Sequence, residues 1–161
     1  MRTGEPEPTA WLDLRVPPPV VALAAAALMW LAAGATSTIP FDPPGRVPLA
    51  LAIAVAGLGF DAAALAVFVR ARTTINPMRP DSTSALVARG VYRLTRNPMY
   101  VGLVLVLTGW AVFLGDALVF VFPPAVAFFL DRFQIRPEER ILAAKFGPAY
   151  DEYRARVRRW I

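Results

Sequence analysis

The chain contains neither cysteine nor histidine. The absence of cysteine excludes disulfide bonds, thiolate nucleophiles and cysteine-based metal sites. The absence of histidine excludes an imidazole general base and histidine-ligated metals, and the sequence predicts no metal site. Any proton chemistry therefore falls to aspartate, glutamate, tyrosine or the substrate itself.

Charged residues are also scarce, and the apolar residues are gathered in long runs. The 161 residues are 57% hydrophobic and 18% charged, with a mean hydropathy of +0.48. Runs of this kind are typical of membrane-spanning helices in a protein of one domain. The net charge is +5, but the arginines flank the apolar runs, so we expect them to meet anionic lipid headgroups rather than nucleic acid.

Four apolar segments follow a proline-rich N-terminal tail at 1–19, and they lie at 20–35, 47–69, 98–114 and 117–130. The pattern predicts an all-α integral membrane protein with about four transmembrane helices in a single domain over 20–161. We expect the last two segments to form a helical hairpin whose second arm is kinked or broken at Pro123-Pro124. A cleaved signal peptide is the alternative for the first segment, but the acidic residues before it favour a retained helix.

Arginine is distributed unevenly between the connecting segments. The loop between the second and third segments carries six arginines, and the part after Leu130 carries eight lysines and arginines. Positively charged segments stay in the cytoplasm, so we expect both termini to be cytoplasmic, in the inner membrane if the source is bacterial. Four spans satisfy this distribution.

The stretch Arg96-Asn97-Pro98-Met99-Tyr100 joins this arginine-rich loop to the third apolar segment. Pro98 suits the first turn of a helix, and Asn97 before it is a natural N-cap. The positive end of that helix, with Arg93 and Arg96 beside it, predicts a pocket for an anion. The alternative is an ordinary membrane-helix start with flanking arginines.

Asp61 is an ionisable residue just past the middle of the second apolar segment, where Gly57 and Gly59 are expected to permit close helix contact. A carboxyl group at that depth is costly and should face the bundle interior with a partner, or stay neutral. Two interpretations remain open: Asp61 lines a substrate or cofactor cavity, or it makes a structural hydrogen bond to Thr108 or a tryptophan.

The C-terminal part predicts an amphipathic helix over about 137–159. Pro137 suits its start, and Glu138 and Glu139 in the first turn suit the helix dipole. Gly147-Pro148 is expected to break this helix into two pieces, which lie on the membrane surface or fold back over the bundle.

Two sequences, G-V-Y-R-L-T-R-N-P-M-Y-V-G and E-E-R-I-L-A-A-K-F-G-P-A-Y-D-E-Y, are separated by the predicted hairpin. Together they resemble the isoprenylcysteine carboxyl methyltransferase and phospholipid methyltransferase superfamily of integral membrane enzymes. The resemblance covers about Ala85 to Arg159. The first two segments match only in being apolar.

The resemblance implies methyl transfer from S-adenosylmethionine to a lipidic or prenylated acceptor at the cytoplasmic membrane face. It implies catalytic roles for Glu138, Glu139 and Arg136. The cofactor site that it implies consists of Val91, Tyr92, Arg96, Asn97, Pro98, Tyr100, Gly102, Glu138, Glu139, Tyr150 and Tyr153.

The chain departs from the family pattern at two positions. Asn97 stands where the family commonly has histidine, and Gln134 stands roughly where enzymes acting on prenylcysteine carry an arginine. A carboxylate acceptor needs no general base, whereas an amine acceptor would need one, and Glu138 or Glu139 is available. Two other functions stay open: an NADPH-dependent relative of the sterol-type membrane reductases, and a non-catalytic membrane protein of the same fold.

Overall fold

A computed structural model describes residues 11–36, 39–71 and 86–161. The first ten residues of the predicted N-terminal tail and positions 72–85 of the arginine-rich loop lie outside this part. Every regular element described is helical. The six α-helices are α1 (Pro18–Thr36), α2 (Arg46–Ala71), α3 (Pro98–Leu114), α4 (Phe122–Leu130), α5 (Arg136–Phe146) and α6 (Pro148–Arg156).

Within the described residues, three shorter helical turns connect these helices. A 3-10 turn at Gly90–Arg93 precedes α3, a second at Ala117–Val121 precedes α4, and a π-helical turn at Asp131–Ile135 joins α4 to α5. Pro123 and Pro124 lie in the first turn of α4, where missing backbone donors cost little. The helical path therefore continues through the prolines and changes from 3-10 to α geometry just before them, while the predicted kink stays a prediction.

The fourth apolar segment and the first piece of the C-terminal helix are one continuous helix, from Ala117 to Phe146. The sequence predicted two separate helices with an end before Pro137. The backbone stays in the right-handed helical region across the π turn, and Pro137 occupies the first turn of α5 without interrupting it. The chain breaks at Gly147 as expected, where a left-handed φ of 51° ends α5.

The predicted C-terminal helix also ends earlier than expected. Helix α6 stops at Arg156, and Val157 is extended, with φ −121° and ψ 132°. Arg96 accounts for this end, because its Nη1 donates hydrogen bonds to the carbonyl oxygens of Arg154 and Val157. Those oxygens are thereby satisfied without further helical turns.

Three helices of the described chain are long and apolar enough to cross a membrane: Pro18–Ala35, Arg46–Arg70 and Ala117–Phe146. Helix α3 is equally apolar but has 17 residues. Large apolar side chains on α1 and α2 point away from the bundle, among them Leu23, Trp30 and Val55. This outer surface fits contact with lipid tails.

Helices α2 and α3 approach closely where Gly57 faces Gly102. A Cβ atom on Gly57 would lie 2.6 Å from the carbonyl oxygen of Gly102, so both glycines are needed for this separation. Gly59 has no described atom within 4 Å of its Cβ position, and the predicted contact there is wrong. On the other face of α3, Met29 of α1 is fully buried in the main core.

Candidate functional site

Three parts of the chain meet beside the start of α3. They are the stretch from Tyr92 to Gly102, the first turn of α5, and the segment from Tyr153 to Trp160. Pro98 occupies the first turn of α3 and Asn97 the N-cap position, as predicted, although the Asn97 side chain makes no capping hydrogen bond.

Arg96 and Glu139 form a buried ion pair at the centre of this region. Arg96 donates to Glu139 Oε1 through Nη2 at 2.7 Å and through Nε at 3.1 Å. Both side chains are about one-tenth exposed. The sequence predicted an anion site beside Arg96. The chain itself supplies an anion there, and a charge pair so enclosed is stabilising only when it is well hydrogen-bonded.

Arg159 makes Glu139 the centre of a larger network. It donates to Glu139 Oε2 at 2.6 Å and to Oε1 at 3.2 Å, and its Nη1 binds Asp131 Oδ1 at 3.0 Å. The hydrogen bonding to Glu139 is the main cause that raises the pKa of the Arg159 guanidinium. Arg136 binds the other oxygen of Asp131 at 2.8 Å and is half exposed. Arg136 therefore lies at the rim of the network, separated from Glu139 by Asp131 and Arg159.

The backbone of the C-terminal segment is held against the Arg-Asn-Pro stretch. The side chains of Thr95 and Asn97 both donate to the carbonyl oxygen of Arg159, at 2.9 and 3.0 Å. The Arg96 amide donates to the carbonyl of Arg158 at 2.9 Å. The Asn97 amide nitrogen thus binds the chain's own backbone, in a side chain that the resemblance assigned to the cofactor.

Glu138 has a different environment from its neighbour. Its Oε1 accepts a hydrogen bond of 2.5 Å from the Tyr100 hydroxyl, and no arginine of the described chain pairs with it. Glu139 is therefore committed to two guanidinium groups, whereas Glu138 keeps a carboxylate with one hydroxyl partner beside α3. The two glutamates are adjacent in sequence but face different partners.

Tyr150 and Tyr153 of α6 and Tyr92 of the 3-10 turn before α3 border this region. The Tyr153 hydroxyl donates to the carbonyl oxygen of Tyr92 at 2.8 Å, and the Tyr150 and Tyr153 rings meet edge to face. Burial is the main cause that raises the pKa of the Tyr150 hydroxyl to about 12, with the charge of Glu139 adding to it and Arg96 opposing it. Burial likewise raises the pKa of Tyr92 and Tyr153. All three stay protonated at neutral pH and can serve as hydrogen-bond donors.

Asp61 of α2 lies against Gly102, and a Cβ atom at that glycine would clash with its carboxylate. Neither structural partner considered from the sequence binds it. Thr108 donates to the carbonyl of Val104, and the Trp110 indole donates to that of Ala26. No hydrogen bond or ion pair joins Asp61 to the described residues. The structural interpretation of Asp61 therefore fails for both of these partners.

Most residues singled out in the sequence are brought together. The convergent ones are Tyr92, Arg96, Asn97, Pro98, Tyr100, Gly102, Glu138, Glu139, Tyr150 and Tyr153. Val91 packs beside Tyr92 in a small apolar cluster with Ala64, and Arg136 stands apart.

Sequence reasoning missed Thr95, Asp131 and Arg159. The signal for Asp131 was a lone acidic residue directly after an apolar run, while Arg159 is one of four arginines in the final eight residues and carries no distinguishing mark. Gln134, the other departure from the family pattern, is fully buried and donates to the carbonyl of Val16 at 2.6 Å.

Among the described residues of this region, the Glu138 and Asp61 carboxyl groups have no cationic partner, and the Tyr92 and Tyr150 hydroxyl groups donate no hydrogen bond to the chain, whereas those of Tyr100 and Tyr153 do. This set is acidic and contains neutral donors, so it suits a ligand that carries positive charge. Among the described residues, no group of three acidic side chains is placed to hold a metal ion.

Comparisons with known proteins bear on these residues. The sequence profile of a family described as phospholipid methyltransferase matches residues 46–149. An uncharacterised protein of Haemophilus influenzae is 38% identical over 63 residues, which are 39% of this chain and the whole of that protein. No solved structure matches the chain.

Proposed function

This chain belongs to the phospholipid methyltransferase family, within the isoprenylcysteine carboxyl methyltransferase-like superfamily of integral membrane methyltransferases. On this basis we propose that it transfers a methyl group from S-adenosylmethionine to a lipidic or prenylated acceptor. Family membership carries the proposal, because the matched range of 46–149 includes both the Arg-Asn-Pro stretch and the Glu138-Glu139 pair.

The residues near α3 fit this cofactor in charge. S-adenosylmethionine is a cation at its sulfonium centre and supplies an electrophilic methyl group. Glu138 has a carboxylate without a guanidinium partner among the described residues, and the Tyr100 hydroxyl orients it. Gly102 lets the Asp61 carboxylate of α2 lie against α3, which adds a second acidic group to this region. We assign the cofactor to the space bordered by Tyr92, Tyr100, Gly102 and Glu138.

The two glutamates receive different roles in this proposal. Glu139 holds Arg96 and Arg159, and so fixes the Arg-Asn-Pro stretch and the C-terminal segment against α5. Glu138 is the carboxylate that meets ligands. For an amine acceptor, Glu138 is the available general base, whereas a carboxylate acceptor is already a nucleophile and needs none. Arg136 receives no catalytic role, because its guanidinium binds Asp131 and its side chain is half exposed.

The membrane arrangement is part of the same proposal. Three helices are long enough to span the bilayer, and α3, at 17 residues, is at the short end of the spanning range. With α3 as a fourth span, both termini and the arginine-rich loop lie in the cytoplasm, as the positive-inside rule requires. The acceptor then enters from the bilayer, and the cofactor enters from the cytoplasm.

Isothermal titration of detergent-purified protein with S-adenosylmethionine, S-adenosylhomocysteine and NADPH tests this function. We expect both adenosyl compounds to bind and NADPH not to bind. Glu138→Gln should weaken the binding of both adenosyl compounds. Glu152 is an exposed glutamate on α6, and Glu152→Gln should leave both affinities unchanged.

Two results would contradict the proposal. Binding of NADPH without the adenosyl compounds would favour the sterol-type reductase relative. Binding of none of the three by folded protein would favour a non-catalytic protein of the same fold.

A further inference from the structure

Asp61 lies deep in a helix that is long enough to span the membrane, and its carboxylate has no partner in the described chain. Arg70, near the end of α2, is nine residues further on, which is about 13 Å along the helix axis. An ionisable group at that depth is expensive unless a counter-charge meets it. Thr108 and the Trp110 indole, two neutral partners considered from the sequence, bind backbone carbonyls instead.

The packing of α2 on α3 directs this carboxylate at the candidate site. Gly57 and Gly102 allow the two backbones to touch, since a Cβ on Gly102 would lie 2.7 Å from the carbonyl oxygen of Gly57. Asp61 is one helical turn beyond Gly57, and the same Cβ would clash with its Oδ1. The missing side chain at Gly102 therefore leaves room for the carboxylate beside α3.

The carboxyl groups of Asp61 and Glu138 both influence the pKa of Tyr92. Burial is the largest cause that raises the pKa of Tyr92, and the charges of Tyr153, Glu138 and Asp61 add to it. The two carboxylates thus stand on α2 and α5, both near Tyr92. Arg96 and Arg159 are committed to Glu139, so the described chain supplies no cation to either carboxylate.

We propose that Asp61 is a further cofactor-binding residue, whose carboxylate recognises the positive charge of the S-adenosylmethionine sulfonium. This inference rests on the proposed function. Gly102 is four residues into α3 beyond Pro98, about 6 Å deeper than the start of the helix. A reactive centre that must meet an acceptor from the bilayer belongs at this deeper side, whereas the cofactor's amino-acid end can be served by groups nearer water.

S-adenosylmethionine and S-adenosylhomocysteine separate this role from others, because they differ by one methyl group and the sulfonium charge. The experiment measures the dissociation constant of each compound by isothermal titration for wild type, Asp61→Asn and Asp151→Asn. Asp151 is exposed on α6 and controls for the loss of one negative charge elsewhere. Thermal unfolding without ligand reports whether each variant is folded, and Asp61→Ser replaces Asp61→Asn if the latter is not.

We expect Asp61→Asn to weaken S-adenosylmethionine about tenfold or more, since an opposite charge within roughly 4–6 Å biases an equilibrium by about one to three powers of ten. Its effect on S-adenosylhomocysteine should be small, and Asp151→Asn should change neither affinity. The affinity ratio of the two compounds is thus the quantity that Asp61 controls.

Several results would overturn the inference. Equal weakening of both compounds would assign Asp61 to a feature that they share, such as the amino group. Unchanged affinities for both, with wild type binding them, would remove Asp61 from the cofactor site and leave the proposed function standing. Failure of wild type to bind either compound would overturn both the inference and the proposed function.

Discussion

Replacing Glu139 should mainly lower the stability of the protein, whereas replacing Glu138 should mainly weaken ligand binding. Glu139 accepts four hydrogen bonds from Arg96 and Arg159, at 2.6 to 3.2 Å, and its side chain is 11% exposed. Glu138 accepts one, from Tyr100. The variants Glu139→Gln and Glu138→Gln keep the size of the side chain and replace a carboxyl group with an amide, so they are matched.

The expected loss of stability follows from burial. Breaking a buried ion pair by removing one partner costs about 3–5 kcal/mol. Glutamine keeps an oxygen acceptor, and Arg159 is one-third exposed, so we expect the low end for Glu139→Gln, about 3 kcal/mol. For a chain of this size that lowers the unfolding midpoint by roughly 6–12 °C.

Glu138→Gln should behave differently, because Tyr100 keeps an acceptor and no guanidinium of the described chain loses its partner. We expect a change of about 1 kcal/mol or less in the free energy of unfolding. The assay is thermal unfolding of detergent-purified variants, without ligand and with a saturating excess of S-adenosylhomocysteine. Ligand should raise the midpoint of Glu139→Gln more than that of Glu138→Gln. Equal destabilisation by the two substitutions, or full stability of Glu139→Gln, would refute the assignment of roles.

Four further substitutions, one of them a control, test the contacts around the site by thermal unfolding. Arg159→Ala should lower the free energy of unfolding by about 1–3 kcal/mol, less than Glu139→Gln does, because the ion pair between Arg96 and Glu139 remains. A larger loss than that of Glu139→Gln would contradict this order. Gly102→Ala should cost about 1–3 kcal/mol, because the added methyl group overpacks against Asp61 and the Gly57 carbonyl. Its control, Gly59→Ala, lies in open space and should be close to neutral. Similar losses for the two variants would argue against the helix contact. Tyr153→Phe should cost about 1 kcal/mol by leaving the Tyr92 carbonyl without its donor, and an unchanged midpoint would count against that hydrogen bond.

Local features of the site could be predicted from the sequence, because short-range rules govern them. The helix start at Asn97-Pro98 and the break at Gly147-Pro148 follow from proline and glycine backbone preferences. The resemblance then named most of the residues that converge beside α3.

Contacts between distant segments could not be predicted in the same way. Arg159 meets Glu139 and Asp131 because the chain turns at Gly147 and leaves its helix after Arg156, and a run of arginines does not indicate which one turns inward. The π turn at Asp131–Ile135 was also missed. Its wider spacing brings Asp131 within 2.8 Å of Arg136 and carries the helix past Pro137 without a break.

The Asp61 environment illustrates a third limit. The sequence indicated a costly group at membrane depth, but its partners depend on which residues of α3 face α2. Gly102 faces it, while Thr108 points its hydroxyl at the backbone of its own helix. This choice follows from the close packing of α2 on α3 at Gly57 and Gly102, which no local pattern specifies.

Methyl transfer itself is the most direct test of this account. Purified protein in detergent is incubated with S-adenosylmethionine labelled with tritium on its methyl group and with a bacterial total lipid extract, and the label is counted in the organic phase. We predict label in lipid for wild type and Glu152→Gln, and a large loss for Glu138→Gln. Folded wild-type protein that leaves no label in lipid, or equal labelling by wild type and Glu138→Gln, would contradict the central claim.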